Sequence, residues 1–232
     1  MPKIFLSAEW RRLCLANFAV PTDVLAPHLP PDCTPDLLDG RAYVSLVAFE
    51  FLNARVFGIR WPGFHSFPEL NLRAYVRHAD GRRGVTFIRE FVPQRIVAAM
   101  ARWTHNEPYV AVPMKCRIEE DDRSIRVEHE LRIAGVIRRV ACTADKPTWM
   151  PTTNSVEHFF KEQEWGFGRS RRGELIGYRV QHPQWTVYRN PTLQLDFNFA
   201  DVYGEGWRCL NAREPDSIVL AEGSRVTVTT RL

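Results

Sequence analysis

Phe67-Pro-Glu69-Leu-Asn71-Leu-Arg73-Ala-Tyr75-Val-Arg77 alternates polar and apolar residues with a period of two. An extended chain sends successive side chains to opposite faces. This is therefore a strand with Glu69, Asn71, Arg73 and Tyr75 on one side and Leu70, Leu72, Ala74 and Val76 on the other. The apolar row needs a covering layer. The polar row has two destinations, the wet side of an open sheet or the lumen of a closed one. In a lumen, Arg73 would grip a carboxylate through its planar fork, and Glu69 would orient or move a proton.

Working outward, apolar runs of strand length recur at 41–51, 85–91, 109–117, 124–133, 136–143, 175–181, 193–199 and 224–230. Asp80-Gly81 and Ala134-Gly135 read as hairpin corners. Three helices are expected among the strands. One is capped at Thr22 or Asp23 and stopped by Pro30-Pro31. A second starts at Pro93 and presents Ile96, Val97, Met100 and Trp103 on one face, ending near Asn106. The third is capped by Asn154 with Glu157 and buries Val156, Phe159 and Phe160. Many short strands and few helices give an α+β fold, mostly β, with an antiparallel or mixed sheet curled closed.

The 232 residues suffice for one substantial core, and 45% hydrophobic with 25% charged residues is an ordinary globular composition. Net charge is +4, but the arginines are scattered and form no stripe for a phosphate backbone, so no nucleic-acid partner is expected. Cys14, Cys33, Cys116, Cys142 and Cys209 contain no CxxC pair and read as reduced core thiols. No targeting segment and no membrane-spanning run is found, which leads to a cytoplasmic assignment. The pattern does not decide between a monomer and a homo-oligomer. No phosphate loop, G-x-S-x-G, H-E-x-x-H or Cys/His cluster occurs, so neither metal nor cofactor is expected.

Two further constellations could carry chemistry. Thr104-His-Asn-Glu107 precedes Pro108-Tyr-Val-Ala-Val-Pro-Met-Lys115, whose burial would depress an ammonium pKa and free the amine of Lys115 for Schiff-base chemistry. Alternation pairs Met114 with Val110 and Val112, and Lys115 with Tyr109 and Ala111, so Met114 and Lys115 do not enter one pocket together. The other lysines lack desolvated surroundings: Lys3 is near the chain start, Lys146 in a turn, and Lys161 on an exposed helix face. In His182-Pro-Gln-Trp185 the imidazole of His182 would exchange protons near neutral pH beside an apolar wall from Trp185. A packed structural histidine is the competing reading.

Several motifs are familiar as a set: Val20-Pro-Thr-Asp-Val-Leu-Ala-Pro-His-Leu-Pro30, Asp39-Gly-Arg-Ala-Tyr-Val-Ser-Leu-Val-Ala-Phe49, Glu69-Leu-Asn-Leu-Arg-Ala-Tyr-Val76, Gly84-Val-Thr-Phe87, Pro108-Tyr109 with Met114, and His182-Pro-Gln-Trp185. Their order resembles the bacterial family called domain of unknown function 2071, which is similar in fold to acetoacetate decarboxylase. That resemblance implies one domain over 1–232, a closed β-structure with a central cavity. In the decarboxylases a Pro-Lys-Lys segment carries the Schiff-base lysine first; the matching stretch here is Pro113-Met114-Lys115. The resemblance thus implies that Met114 stands in the nucleophile's place facing the cavity, that Lys115 matches the second lysine, and that Glu69 matches the cavity glutamate. The function expected is binding of a small carboxylate or carbonyl compound by Glu69, Asn71, Arg73, Met114 and Trp185, without Schiff-base decarboxylation. A keto-acid lyase using Lys115, a lysine-free proton-transfer enzyme using Glu69 and His182, and a filled structural barrel are the alternatives.

Overall fold

A computed structural model describes residues 3–230. The strands in chain order are β1 (Ile4–Val20), β2 (Cys33–Pro35), β3 (Ala42–Val56), β4 (Phe67–His78), β5 (Arg83–Val92), β6 (Tyr109–Ala111), β7 (Met114–Glu120), β8 (Ser124–Ile133), β9 (Val136–Trp149), β10 (Trp165–Arg169), β11 (Leu175–Gln181), β12 (Val187–Asp196) and β13 (Ser217–Thr229). The helices are α1 (Thr22–Leu25), α2 (Arg95–Thr104), α3 (Val156–Lys161) and α4 (Phe199–Tyr203), with short 3₁₀ turns at Ala26–His28 and Glu205–Leu210.

Hydrogen bonding runs β1-β3-β4-β5-β10-β11-β13 and returns from β13 to β1, so seven strands close into a ring within a mixed sheet. Among the described residues, only β5–β10 in that ring and the β5–β6 pair are parallel. Beyond β13 the sheet continues through β12, β9, β8 and β7. This outer layer covers the apolar row read from the sequence. Leu70, Leu72 and Ala74 of β4 pack with Val44, Leu46 and Ala48 of β3 against Ile125, Val127 and Leu131 of β8. The opposite rows of the same strands, Tyr43, Val47, Phe49 and Phe51 of β3 with Phe67 and Tyr75 of β4, fill a second core inside the ring. Strand alternation thus serves two cores at once.

Both expected corners are turns. At β8–β9, Ala134 and Gly135 have φ 47° and 83°, the double left-handed pair of a two-residue type I′ hairpin. The expected run 109–117 is two strands. Pro113 lacks a ladder donor, and the chain leaves β6, which pairs with β5, to enter β7 on β8 in the outer sheet. The expected strand 193–199 instead starts at 187 and stops at 196, and Phe199 opens α4, capped by Asn198, whose side chain accepts from Asp201 N. Helix α2 begins at Arg95 with its N-cap at Gln94. Its Trp103, expected on the buried face, is 78% exposed, while Ala98 is buried. Helix α3 is capped by Ser155, which accepts from His158 N at 3.2 Å, one residue later than expected.

Ring closure depends on Gly223 in β13. It sits at φ +82°, and a Cβ there would lie 2.0 Å from the carbonyl oxygen of Trp10 in β1. Gly81 has a similar φ of +91° with nothing within 4 Å. Gly81→Ala is therefore expected to cost only the left-handed penalty, ~1–2 kcal/mol. Gly223→Ala adds a backbone clash that forces the seam apart, and should cost clearly more in urea denaturation. Equal midpoints for the two variants would refute this account of the seam.

Candidate functional site

The ring encloses a cavity of about 210 Å³. Its walls are largely aromatic, including Phe5, Trp10, Phe49, Phe51, Phe67, Phe87 and Trp165. Ile96, Val97, Met100 and Ala101 of α2 and Trp61 and Phe64 of the β3–β4 connection border it on another side. A row of polar groups interrupts the apolar surface.

Glu69, Asn71 and Arg73 of β4 line this cavity, so the polar row faces the lumen rather than an open wet face. Glu69 and Asn71 are each 2% exposed. Asn71 Nδ2 donates to Glu69 Oε1 at 3.0 Å, and the hydroxyl of Tyr109 in β6 donates to Glu69 Oε2 at 2.9 Å. Arg73 donates from Nη2 to the carbonyl of Phe160 at 2.8 Å, where the Tyr75 hydroxyl also donates at 3.3 Å. Among the described residues lining the cavity, Arg73 carries the one fixed positive charge.

Two further glutamates join them. Glu90 of β5 lies opposite Asn71 and shares a hydrogen bond with Glu69. Glu107, in the connection from α2 to β6, is hydrogen-bonded to Tyr178 of β11. Tyr178 lies flat over Gly166 of β10, where a Cβ would come 2.2 Å from its ring. That glycine has no side chain because the tyrosine ring occupies its place. His105 completes this end, with its ring 5.0 Å from that of Tyr178 and its Nε2 3.3 Å from the carbonyl of Thr229.

Burial sets the protonation of the cluster. It pushes Glu69 up to about 7, against the lowering effect of its hydrogen bonds from Asn71 and Tyr109 and of the nearby Arg73 charge. Glu107 is pushed up to about 8 by burial, with the Tyr178 hydrogen bond opposing and the charge of Glu69 reinforcing. Glu90 is raised well above the carboxylate range by burial and by repulsion from Glu69 and Glu107. The Tyr109 and Tyr178 hydroxyls are raised too, again mainly by burial. Near neutral pH the cluster is a set of mostly protonated acids that titrate together rather than one by one.

The other predicted residues lie elsewhere. Met114 packs against the core between ring and outer sheet, because the chain changes sheets at Pro113. Lys115, beside it, is exposed. Trp185 is buried one layer behind the wall, 6.4 Å from the Trp10 ring, and donates from Nε1 to Ser224 Oγ at 2.8 Å. His182 stacks on Trp185 at 4.0 Å, and burial lowers its pKa. Neither borders the cavity. Lys161, expected on an exposed face, is 2% exposed and ion-paired with Glu162. Lys146 lies in β9 rather than a turn and pairs with Glu120 at 2.5 Å.

Glu90, Gln163 and Tyr178 escaped the sequence reading. Strict alternation along β5 puts Glu90 on the face opposite Phe87. A bulge pairs Leu72 with Arg89 but Arg73 with Phe87, which re-aims the strand so that both residues face inward.

Comparison with known proteins gives the family and the fold. The domain of unknown function 2071 family, described as an uncharacterized conserved protein, matches residues 7–225. The chain belongs to this family. It is 31% identical over 107 residues to the uncharacterized protein YqjF of Bacillus subtilis, covering 46% of this chain and 44% of that protein. In fold it is similar to acetoacetate decarboxylase from Legionella pneumophila, with TM-score 0.65, 15% identity and coverage of 100% of this chain and 88% of that one. An acetoacetate decarboxylase-like enzyme from Sphingomonas wittichii gives TM-score 0.66 at 14% identity, covering 99% and 94%. The enduracididine biosynthesis enzyme MppR in complex with pyruvate gives 0.62 at 14%, covering 99% and 89%. The fold is thus acetoacetate decarboxylase-like.

A carboxyl that ionises near 4.5 when unfolded and near 7 or 8 when folded holds its proton more tightly in the native state. Its contribution is fully present below pH 4.5 and is lost as pH rises toward 8. His129, buried and lowered to about 4, works in the opposite sense up to the ordinary histidine value of 6.5. The difference between variant and wild type isolates the glutamate. Glu107→Gln is expected to gain stability relative to wild type as pH rises from 5 to 8, read as urea midpoints. A difference that does not change with pH would contradict the assignment.

Proposed function

We propose that this protein binds a small carboxylate or carbonyl compound inside the seven-stranded ring. The observation that carries this is the set of buried polar atoms of cavity-lining residues that have no hydrogen-bond partner, among them Arg73 Nε and Trp10 Nε1. Buried donors left unpaired cost about 1–3 kcal/mol each, a cost a ligand oxygen would remove. Arg73 is the anion anchor: its guanidinium keeps its charge when partly buried, and its Nη2 bond to Phe160 fixes its orientation. The aromatic walls take the apolar remainder of the ligand. The pyruvate complex of MppR, on a similar fold, supports a ligand of this size and class. We take the protein to act in the cytoplasm as a single domain.

A second reading adds proton transfer, favoured by the Glu69–Glu90 pair with Glu69 near 7. A carboxyl poised near neutral pH both takes and returns a proton, and neighbouring protonated acids donate to a developing enolate oxygen. Glu69 would be the acid–base group. No lysine among the described residues lines the cavity, so this chemistry needs no imine.

Small 2-oxo acids are expected to raise the melting temperature of the wild type, and Arg73→Met to weaken their binding about tenfold or more, the loss of one charge-assisted hydrogen bond. Equal responses from the two proteins would reject the anchor. Pyruvate with borohydride is expected to leave Lys115 unlabelled in peptide mass maps, since its ammonium lies in solvent outside the cavity. Stoichiometric labelling there would restore the lysine enzyme. Exchange of the C3 protons of a 2-oxo acid in D₂O, followed by NMR and lost in Glu69→Gln, would establish the second reading. Equal exchange in both proteins would exclude Glu69.

A further inference from the structure

Four of the unpartnered atoms are side-chain oxygens, Asn71 Oδ1, Gln163 Oε1, Glu90 Oε1 and Glu107 Oε1, the amide oxygens accepting as they stand and the two carboxyls once ionised. All four residues line the cavity, and all are more than nine-tenths buried, at 2%, 7%, 2% and 6% exposure. The two amides are not free to turn over. Asn71 Nδ2 is held by Glu69 Oε1 at 3.0 Å and Gln163 Nε2 by the carbonyl of Phe159 at 2.7 Å, so each amide oxygen is the end left over. On a strand rising about 3.3 Å per residue, Arg73 stands two residues beyond Asn71 and four beyond Glu69. The polar row thus carries its cation at one end and its acceptors and carboxyls toward the other.

We infer that the ligand bears, besides its carboxylate, a cationic N–H donor such as a primary ammonium, received by Asn71, Glu90 and Glu107. This rests on the carboxylate-binding reading above and names the second half of the molecule. An ammonium offers three donors and no acceptor, which matches a cluster of orphan acceptors; a hydroxyl offers one donor, and a second carboxylate none. The aromatic rings around the cluster favour a cation over an anion as well.

Proton linkage supplies the signature. The titratable and charged groups facing the cluster are Glu69, Glu90 and Glu107, the hydroxyls of Tyr109 and Tyr178, the imidazole of His105 and Arg73. A cation favours the ionised carboxylate, so its binding expels a proton and tightens as pH rises.

The test compares three straight-chain acids of equal length, an ω-amino acid, the ω-hydroxy acid and the dicarboxylate, across chain lengths of four to seven carbons, by calorimetry in buffers of different ionisation enthalpy. The ω-amino acid of the best length is expected to bind at least tenfold more tightly than its hydroxy counterpart. It should release close to one proton per site near pH 7 and gain affinity between pH 6 and pH 8. In Glu107→Gln, and independently in Glu90→Gln, the amino and hydroxy affinities should converge. If the hydroxy acid or the dicarboxylate binds wild type as well as the amino acid, or if the amino acid binds without proton release, the cationic group is wrong and the carboxylate reading stands. If none of the three acids binds at any length while a small 2-oxo acid does, the cationic group is wrong and the carboxylate reading stands; if the 2-oxo acid fails as well, both fall.

Discussion

Strand β1 is hydrogen-bonded along both edges, to β3 and to β13, and this double pairing closes the ring. A seventeen-residue strand pairs so far on both sides only by bending, and β1 bends at Arg12, which adopts φ 54° where the register with β3 shifts between Arg11 and Cys14. Bulges of this kind raise local twist and turn a flat sheet into a closed one. Closure removes the edges of the ring and shields its interior from water. The chemistry of the site follows from that exclusion, because the same glutamates on an open face would titrate as ordinary carboxylates.

The interior is a compromise. Three carboxyl groups in an aromatic cavity oppose folding at any pH where they must ionise. They are held by hydrogen bonds from Asn71, Tyr109 and Tyr178 and by a shared bond between Glu69 and Glu90, which pay part of the desolvation cost. What is left unsatisfied lies around the space where a ligand would sit. Sites that break the rules of a well-satisfied core are where function is found in otherwise consistent structures. The outer core, with Leu46, Leu70, Leu72 and Leu131 fully buried, holds a smaller polar group, the buried His129 near the Arg12–Glu50 ion pair.

Among the described residues, the amines of this chain lie outside the cavity. Pro113 marks the point at which the chain leaves the ring, and Met114 and Lys115 beyond it belong to the outer sheet. The buried amine is Lys161 at the end of α3, paired to Glu162, whose Oε1 also accepts from Trp185 N at 3.2 Å. That arrangement ties α3 to the His182–Trp185 stack and places the ammonium behind the cavity wall rather than in it.

The two-fold alternation of 67–77 determined that one row of β4 is apolar and the other carries Glu69, Asn71 and Arg73, because the direction of a side chain along a strand is a local property of the backbone. The hairpin at Ala134-Gly135 was legible for the same reason: two consecutive left-handed residues are a local requirement. Family motifs added the central cavity and the match of Glu69 to a cavity glutamate. Only the tertiary structure decided that Glu90 and Glu107 join Glu69. Glu90 arrives through a bulge that reverses the parity of β5, and Glu107 through a connection that parallel pairing of β6 with β5 lays beside it. It also decided that Met114, His182 and Trp185 stand outside the cavity, since their placement depends on which sheet each segment joins. Those choices are made by contacts between residues far apart in the chain, and spacing along the sequence does not encode them.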